Sequence, residues 1–341
     1  MATVIESLNN ALKIALEKDQ RVLILGEDIL DPYGGAFKVT RGLSSTFPDQ
    51  VLATPVSEAG IVGIATGMAL RGFRPIVEIM FGDFVTLAAD QLINHATKFR
   101  YMYNDQVSVP IVIRTPMGGR RGYGPTHSQT MEKFFMGVPN LYIFAPNIFI
   151  DPGELLLNSI FSVDDPVLFV ENKIQYTQNL ENEQDLQDFT ITQIDPHPTN
   201  TNKTKPNFAS PTQLSIRDSP PPSITVAAYG YMADLCRQAA LRLAYEDEIF
   251  IDIILFSQIL PIDISSIQKS LQTTKHLLVV EEGTQTSGWG AEVITSCLEQ
   301  YTSLHFQAMR VASPDNPIPA SSNLEKTLLP GIEDIISAVK K

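Results

Sequence analysis

One histidine of this chain lies in a loop whose composition lets a ligand come close. His127 belongs to the stretch GYGPTHSQ, which follows the pair Arg120 and Arg121. An imidazole can exchange protons near neutral pH, glycines let the backbone approach a bound group, and guanidinium groups can hold an anion. Taken alone, however, a loop histidine is more often a surface residue. The local pattern therefore leaves both interpretations of His127 open.

Two other segments carry residue types that could do chemistry. In TPVSEAGIVGIATGMALRG, Ser57 is a suitable N-cap and Glu58 falls in the first turn of a predicted helix, where a carboxylate favours the helix dipole. In MFGDFVTLAADQ, Phe84 follows a predicted strand, as many core aromatics do. By spacing alone, Glu58 is a helix-start residue and Phe84 a core residue.

The elements that must position these residues alternate between strands and helices. Apolar runs without a polar face indicate strands buried on both sides, which is typical of parallel sheets covered by helices. The predicted strands of the first half are VLILG, PIVEIM, PIVIR, LYIFA and PVLFV, and the predicted helices span 57–71, 83–100 and 151–162. In such sheets ligands bind at the carboxyl ends of strands, which is where Glu58, Phe84 and His127 are expected.

The chain of 341 residues is long enough for two domains of about 150 residues each. The fold class predicted is α/β, with two open, mostly parallel sheets flanked by helices. We predict a first domain over 1–175, a polar linker rich in Pro, Asn and Thr over 176–222, and a second α/β domain over 223–341.

Composition narrows the classes of function. A net charge of −13 opposes general binding to nucleic acid, and no apolar run is long enough to span a membrane. Cys236 and Cys297 stand apart in predicted helices, which indicates inert thiols in a reducing compartment. The amphipathic segment near Met1 leaves no room for a leader, so we expect a cytoplasmic location. No dinucleotide fingerprint, P-loop, nucleophile elbow or paired metal-ligand spacing occurs.

Several long motifs together resemble a known family. They are LGEDILDPYGGAFKVTRGL, TPVSEAGIVGIATGMAL, RPIVEIMFGDF, DQLINHATKFRYM, PIVIRTPMGG, HSQ and NPIPA, in the family's order. The chain resembles the beta subunit of the decarboxylating component of 2-oxo-acid dehydrogenase complexes, of the pyruvate and branched-chain type, in the transketolase-like superfamily. The resemblance implies a pyrimidine-binding domain followed by a transketolase C-terminal-like domain. It also implies an oxidoreductase that uses thiamine diphosphate.

Partners and site residues follow from the same resemblance. It implies an α2β2 heterotetramer in which the alpha subunit holds the diphosphate and Mg²⁺, and a lipoyl acyltransferase core as the acyl acceptor. Glu58 matches the glutamate that bonds a pyrimidine nitrogen, Phe84 the aromatic that packs on that ring, and Met80 lies on the same motif. His127 matches the histidine that assists reductive acylation of the acceptor thiol.

The resemblance implies a second metal as well. Family members bind a structural K⁺ through main-chain carbonyls, and the matching positions here are Ile111, Ile160, Val163 and Asp165. Carbonyl ligation leaves no side-chain signature, so the sequence itself does not test this site.

Two departures from the family pattern leave alternatives open. The polar segment 185–222 is longer than usual, and LFSQILPID has Ser257 and Gln258 where an Arg-Thr pair is common. The same chemistry could then deliver the acyl group to an acyl-carrier protein or another thiol of a biosynthetic pathway. An alternative of another class is a catalytically silent scaffold or binding subunit that keeps the fold. The sequence does not identify the 2-oxo acid.

Overall fold

The computed structural model describes residues 2–182, 184–194 and 208–341, and the chain divides into two compact units. The first comprises Met1–Met117 and Phe134–Leu180, and the second comprises Gly118–Lys133 and Glu181–Lys341. The predicted first domain over 1–175 therefore needs a correction. Its segment 118–133, which contains His127, folds with the second unit, because carboxylates of that unit bind its backbone amides.

The first unit is built on a parallel sheet, as predicted. Its strands are in contact in the order β5-β6-β4-β3-β1-β2, and every paired neighbour is parallel. The elements are α1 (Val4–Lys18), β1 (Val22–Gly26), α2 (Leu43–Thr46), β2 (Val51–Ala53), α3 (Glu58–Leu70), β3 (Arg74–Glu78), α4 (Phe99–Met102), β4 (Val112–Met117), β5 (Tyr142–Phe144), α5 (Pro152–Phe161) and β6 (Val167–Asn172).

The single helix predicted over 83–100 is replaced by three short helical segments. A 3-10 helix spans Gly82–Ala88, a π-helix spans Gln91–Ala96, and α4 follows. Within the first, the hydroxyl of Thr86 donates to the carbonyl of Asp83 at 2.9 Å, so a side chain takes a backbone acceptor. Such local bonds compete with regular α-helical pairing, and periodicity in the sequence does not reveal them.

The second unit is also α/β, with a mixed sheet in the order β13-β12-β9-β10-β8-β7. The pairs among β13, β12, β9 and β10 are parallel, whereas β8 is antiparallel to both β10 and β7. The elements are β7 (Phe189–Gln193), β8 (Thr212–Ile216), β9 (Ile224–Tyr229), α6 (Tyr231–Asp247), β10 (Ile251–Phe256), β11 (Gln258–Leu260), α7 (Ser265–Thr274), β12 (His276–Thr284), α8 (Trp289–Gln300), β13 (Gln307–Ser313), α9 (Ser322–Leu328) and α10 (Ile332–Val339). The predicted α/β class is confirmed.

Part of the predicted linker 176–222 is folded, which corrects that prediction. Strands β7 and β8 lie inside it and pair with each other at the edge of the second sheet. Phe189 and Leu214 are buried, while most other residues of the two strands are partly or fully exposed. The polar composition therefore marks a half-exposed edge hairpin rather than a linker. The predicted linker residues 195–207 lie outside the described residues.

Both cysteines are buried, in agreement with the prediction of inert thiols. Burial raises the pKa of Cys297 to about 12 and that of Cys236 still higher. Among the described residues, no helix is long and apolar enough to cross a membrane. Within that same part of the chain, no cluster of three or more His, Cys, Asp or Glu side chains is arranged to hold a metal ion.

Candidate functional site

Glu58 is the first residue of α3 and is only 7% exposed. It follows β2 after a short turn, so it lies at the carboxyl end of the first sheet, where ligands of α/β proteins bind. Ser57 occupies the N-cap position, as predicted, although its side chain makes no capping hydrogen bond. The carboxylate of Glu58 is therefore buried at the start of a helix and does not face solvent, so it is available to bind a ligand at this end of the sheet.

Glu27 lies beside Glu58 and was not singled out from the sequence. It follows β1, is 6% exposed, and accepts a hydrogen bond from the backbone of Ser57. Burial, and then the charge of Glu58, raise the pKa of Glu27. Its Oε1 has no hydrogen-bond donor in the part of the chain that the structure describes. Its position directly after a buried strand is the one signal in the sequence that could have identified it.

Met80 and Phe84 follow the next strand of the sheet, β3. Both are half-buried, and Phe84 lies in the 3-10 helix that starts at Gly82. The rings of Phe84 and Phe81 pack edge to face with centroids 6.2 Å apart. A side chain at Gly82 would place its Cβ 2.2 Å from Cγ of Met117, so this position requires glycine. The structure thus brings Glu58, Met80 and Phe84 together at the same end of the first sheet.

A buried ion network joins three neighbouring strands of the first sheet. The guanidinium group of Arg114 on β4 donates to both carboxylate oxygens of Glu171 at 2.7 and 2.8 Å and to Glu78 at 2.9 Å. The hydroxyl of Tyr176 donates to Glu171 at 2.5 Å. All four residues are at most 7% exposed, and burial raises the pKa of Glu78 although Arg114 opposes that shift. The network links β3, β4 and β6.

His127 lies in the loop 118–133, within the second unit. The residue is half-buried, its Nδ1 lies 3.0 Å from the hydroxyl of Thr126, and its N–H donates to the carbonyl of Gly124 at 3.4 Å. The other predicted site residues belong to the first unit. The role assigned to His127 therefore still rests on the resemblance.

The residues predicted to bind K⁺ all belong to the first unit. Ile111 immediately precedes β4, and its carbonyl accepts the N–H of Val167. This bond brings it near the turn formed by the end of α5 and the residues after it, where the other three positions lie. The carbonyl of Ile160 accepts a hydrogen bond from Nη1 of Arg74 at 2.7 Å. Asp165 pairs through its carboxylate with Nε of Arg100 at 2.6 Å. Neighbouring guanidinium groups thus already engage part of this turn.

Two acidic residues within β12 of the second unit, Glu281 and Glu282, are buried. Glu281 is 1% exposed and accepts the N–H of Gly290 at the start of α8. Burial raises its pKa to about 7 against the effect of that hydrogen bond. Glu282 accepts the N–H of Gly119 at 2.7 Å, in the loop that carries His127. These glutamates hold backbone segments in place, which their spacing in the sequence did not indicate.

Comparison with known proteins finds matches to both halves of the chain. The family model described as the transketolase pyrimidine-binding domain matches residues 1–178, and that described as the transketolase C-terminal domain matches residues 215–335. A solved structure described as a split gene transketolase, inactive beta4 tetramer, has a TM-score of 0.74, covering 100% of this chain and 98% of that chain. Its sequence identity is 16%, so the likeness concerns the fold alone.

Curated relatives match over the whole length. Pyruvate dehydrogenase E1 component subunit beta-2, mitochondrial, of Oryza sativa subsp. japonica is 35% identical over 99% of this chain and 85% of that protein. Pyruvate dehydrogenase E1 component subunit beta of Rickettsia bellii is 34% identical over 99% of this chain and 98% of that protein. With both domains matched, and with Glu58, Met80 and Phe84 at the carboxyl end of the first sheet, the chain belongs to the family of pyruvate dehydrogenase E1 beta subunits.

Proposed function

We propose that this chain is the beta subunit of a pyruvate dehydrogenase that acts with an alpha subunit. The pair decarboxylates a 2-oxo acid with thiamine diphosphate as cofactor and passes the acyl group to a lipoyl domain. The observation that carries the proposal is the buried carboxylate of Glu58 at the carboxyl end of the first sheet, in a chain whose relatives are named for this activity.

The residues at this end of the sheet fit the aminopyrimidine ring of the cofactor. Glu58 offers a carboxylate to a ring nitrogen, the ring of Phe84 offers an apolar face, and Met80 adds a flexible apolar contact. The buried Oε1 of Glu27, which has no donor among the described residues, could accept a further hydrogen bond. When bound, thiamine diphosphate supplies the electron sink for decarboxylation. Glu58 then holds a proton at the ring nitrogen.

The alpha subunit would supply the diphosphate and Mg²⁺ site. An apolar surface on the first unit supports such a partner: Ile64 on α3 is 62% exposed and Leu87 on the following 3-10 helix is 60% exposed. At Gly67, an added Cβ would meet nothing within 4 Å. Large exposed apolar side chains on a helix with little polar surface are typical of interfaces. We include an α2β2 assembly in the proposal.

A lipoyl domain is the proposed acceptor, with His127 as the residue that exchanges a proton with its thiol. The departure at Ser257 and Gln258 had suggested another acceptor, yet both residues are buried. The amide of Gln258 accepts the N–H of Phe208 and donates to the carbonyl of Pro261, both within the second unit. Ser257 and Gln258 are therefore part of the protein interior. Their difference from the family pattern gives no reason to prefer an acyl-carrier protein over a lipoyl domain as the acceptor.

A structural K⁺ held by carbonyls of Ile111, Ile160, Val163 and Asp165 is part of the proposal, as is a cytoplasmic location. A carbonyl oxygen has two lone pairs, so the bond from Arg74 to Ile160 leaves one acceptor site on that oxygen. The carboxylates of Asp164 and Asp165 form ion pairs with Arg74 and Arg100, so they balance the charge of these guanidinium groups. Thermal unfolding in K⁺ against Na⁺ at equal ionic strength would test it, with a higher Tm expected in K⁺.

Reconstitution tests the proposed function. The chain is produced with a pyruvate dehydrogenase alpha subunit, and decarboxylation of pyruvate and of branched-chain 2-oxo acids is measured with ferricyanide as the electron acceptor. Activity is expected only with both chains and thiamine diphosphate present. Acylation of an isolated lipoyl domain and of an acyl-carrier protein is then compared, and transfer to the carrier alone would replace the proposed acceptor. A pair that assembles but shows no turnover would support the scaffold alternative instead.

A further inference from the structure

The loop that carries His127 is held by a carboxylate far along the chain, that of Glu325. We propose that Glu325 is a positioning residue for His127 in acyl transfer. This inference rests on the proposed function, since it assigns a support to the residue that acts on the acceptor thiol. Glu325 itself does not contact substrate or cofactor in the proposal.

Glu325 binds two amides of the loop with its two carboxylate oxygens. Oε1 accepts the N–H of Arg120 at 2.7 Å, and Oε2 accepts the N–H of Gly122 at 3.0 Å. The residue lies in α9 and is only 1% exposed. Hydrogen bonds from amides to an ionised group are about twice as strong as neutral ones, and water does not compete with them at a buried site.

The backbone of the loop is curved around this carboxylate. Arg120 and Gly122 both have positive φ, of 71° and 69°, so the successive amides form a concave anion-binding surface of the kind called a nest. A Cβ at Gly122 would lie 3.1 Å from the carbonyl oxygen of Ala320, which shows how closely the loop follows the segment before α9. An arginine in this conformation is strained, and its hydrogen bond to Glu325 opposes that strain.

Further contacts fix the same stretch. Glu282 accepts the N–H of Gly119 at 2.7 Å, and Nη2 of Arg120 donates to the carbonyl of Pro330 at 2.5 Å. At the other end of the loop, the hydroxyl of Tyr229 donates to the buried carboxylate of Glu132 at 2.6 Å. His127 lies between these anchors. Its position is therefore set by the residues that bind the loop amides rather than by a helix or strand of its own.

The consequence for catalysis is geometric. A proton-transferring group must lie within hydrogen-bond reach of the atom it serves, and a displacement of about 1 Å costs up to about a hundredfold in rate. A glutamine at position 325 has only one side-chain oxygen, so it can accept from only one of the two backbone N–H groups. Its NH2 group would point a donor at the other. The loop is then free to shift, and His127 shifts with it.

The experiment uses the full enzyme reconstituted with an alpha subunit and compares Glu325→Gln, His127→Ala and the double variant. Two activities are measured: decarboxylation with ferricyanide, and reductive acylation of a lipoyl domain. Glu325→Gln is expected to lower kcat for acylation by about tenfold to a hundredfold, with a much smaller fall in decarboxylation and an unchanged KM for the 2-oxo acid. The double variant should transfer no more slowly than His127→Ala, because both changes act through the same residue.

Two controls separate positioning from general damage. Glu333→Gln makes the same change on α10, where the side chain is 74% exposed, and should leave both activities at the wild-type level. Gly122→Ala disturbs the same contact from the loop side and should reproduce the selective loss of transfer. It takes the place of Glu325→Gln if that variant does not assemble.

The outcomes that would overturn the inference differ from those that would overturn the proposed function. Wild-type transfer by Glu325→Gln, or an equal fall in both activities, would reject positioning, as would failure of both loop variants to assemble. Unchanged transfer in His127→Ala would reject the proposed role of His127 and the inference with it. Absence of decarboxylation by the wild-type pair would reject the proposed function itself.

Discussion

The strand ends of the first unit and the His127 loop of the second unit hold their functional residues in different ways. Glu58 starts a helix and Phe84 follows a strand, so each is placed by an element that its own neighbours in sequence form. His127 lies in a loop whose amides bind Glu282 and Glu325, which are more than 150 residues away in the chain. Local sequence positions the first region, whereas the second depends on distant side chains.

The two regions also use buried charge differently. Behind the strand ends, the guanidinium group of Arg114 forms ion pairs with Glu78 and Glu171. In the second unit, the carboxylates of Glu281, Glu282 and Glu325 accept backbone N–H groups. In the first region, stability therefore depends on each member of the ion pairs. In the second region, the backbone conformation depends on the carboxylates that bind its amides.

The largest effect is expected at Glu58. Glu58→Gln removes the carboxylate that would handle a proton on the cofactor, and decarboxylation by the reconstituted enzyme should fall by about a thousandfold, within the range for loss of an acid–base group. Transfer should fall equally, unlike in variants of the His127 loop. Glu154→Gln, at an exposed position in the first turn of α5, is the matched control and should keep full activity. Full activity of Glu58→Gln would contradict the role assigned to Glu58 and the contrast drawn between the strand ends and the His127 loop.

The next effect concerns stability of the first region. Arg114→Met leaves Glu78 and Glu171 buried without their cation, and unfolding by urea should show a loss of about 3–5 kcal/mol. Arg21→Met removes an exposed partner of Asp19 and should leave the urea midpoint unchanged. An Arg114 variant as stable as the wild type would mean that the ion network does not support the strand ends.

The smallest effect is pH-dependent and belongs to the second region. Burial raises the pKa of Glu281 to about 7, with Glu132 adding to the shift and Gly290 and Arg310 opposing it. Because the folded-state pKa is above the unfolded value, the stability contributed by the protonated form is complete below about pH 4.5 and is lost as the pH rises through 7.

Glu281→Gln mimics the neutral acid and removes that dependence. Relative to the variant, the wild type should lose stability by about 2–3 kcal/mol between pH 5 and pH 8, measured as ΔG of unfolding in urea. Glu292→Gln on α8 serves as the control and should follow the wild-type curve. A constant difference between Glu281→Gln and the wild type at all pH values would show that Glu281 keeps its charge when folded.

Sequence reasoning succeeded where neighbours along the chain determine the structure. The apolar strands, the helix that starts at Glu58 and the α/β class are confirmed, since burial on both faces and helix-start chemistry are encoded locally. Glu27 was missed because a single carboxylate after a strand has no distinctive spacing. Its significance arises only when Glu58, at the start of the helix that follows the neighbouring strand β2, comes close enough to add to the rise in its pKa.

Two errors have the same origin. The polar composition of β7 and β8 predicts a linker, because these strands are stabilised by backbone pairing and not by apolar side chains. β8 pairs with β7 on one side and with β10 on the other. The helix predicted over 83–100 was divided because side chains such as Thr86 bind backbone carbonyls locally. In both segments composition was informative about exposure, but hydrogen-bond partners decided the conformation.

By itself, the sequence determined the class of fold, the family through its long motifs, and the residue types available at the strand ends. Only the tertiary structure decided which acidic residues are buried, that Arg114 joins three strands by charge, and that Glu325 and Glu282 hold the loop of His127. The reason is physical. Periodicity and capping act over a few residues, whereas the burial of a charge and the partner that compensates it depend on segments brought together only when the chain folds.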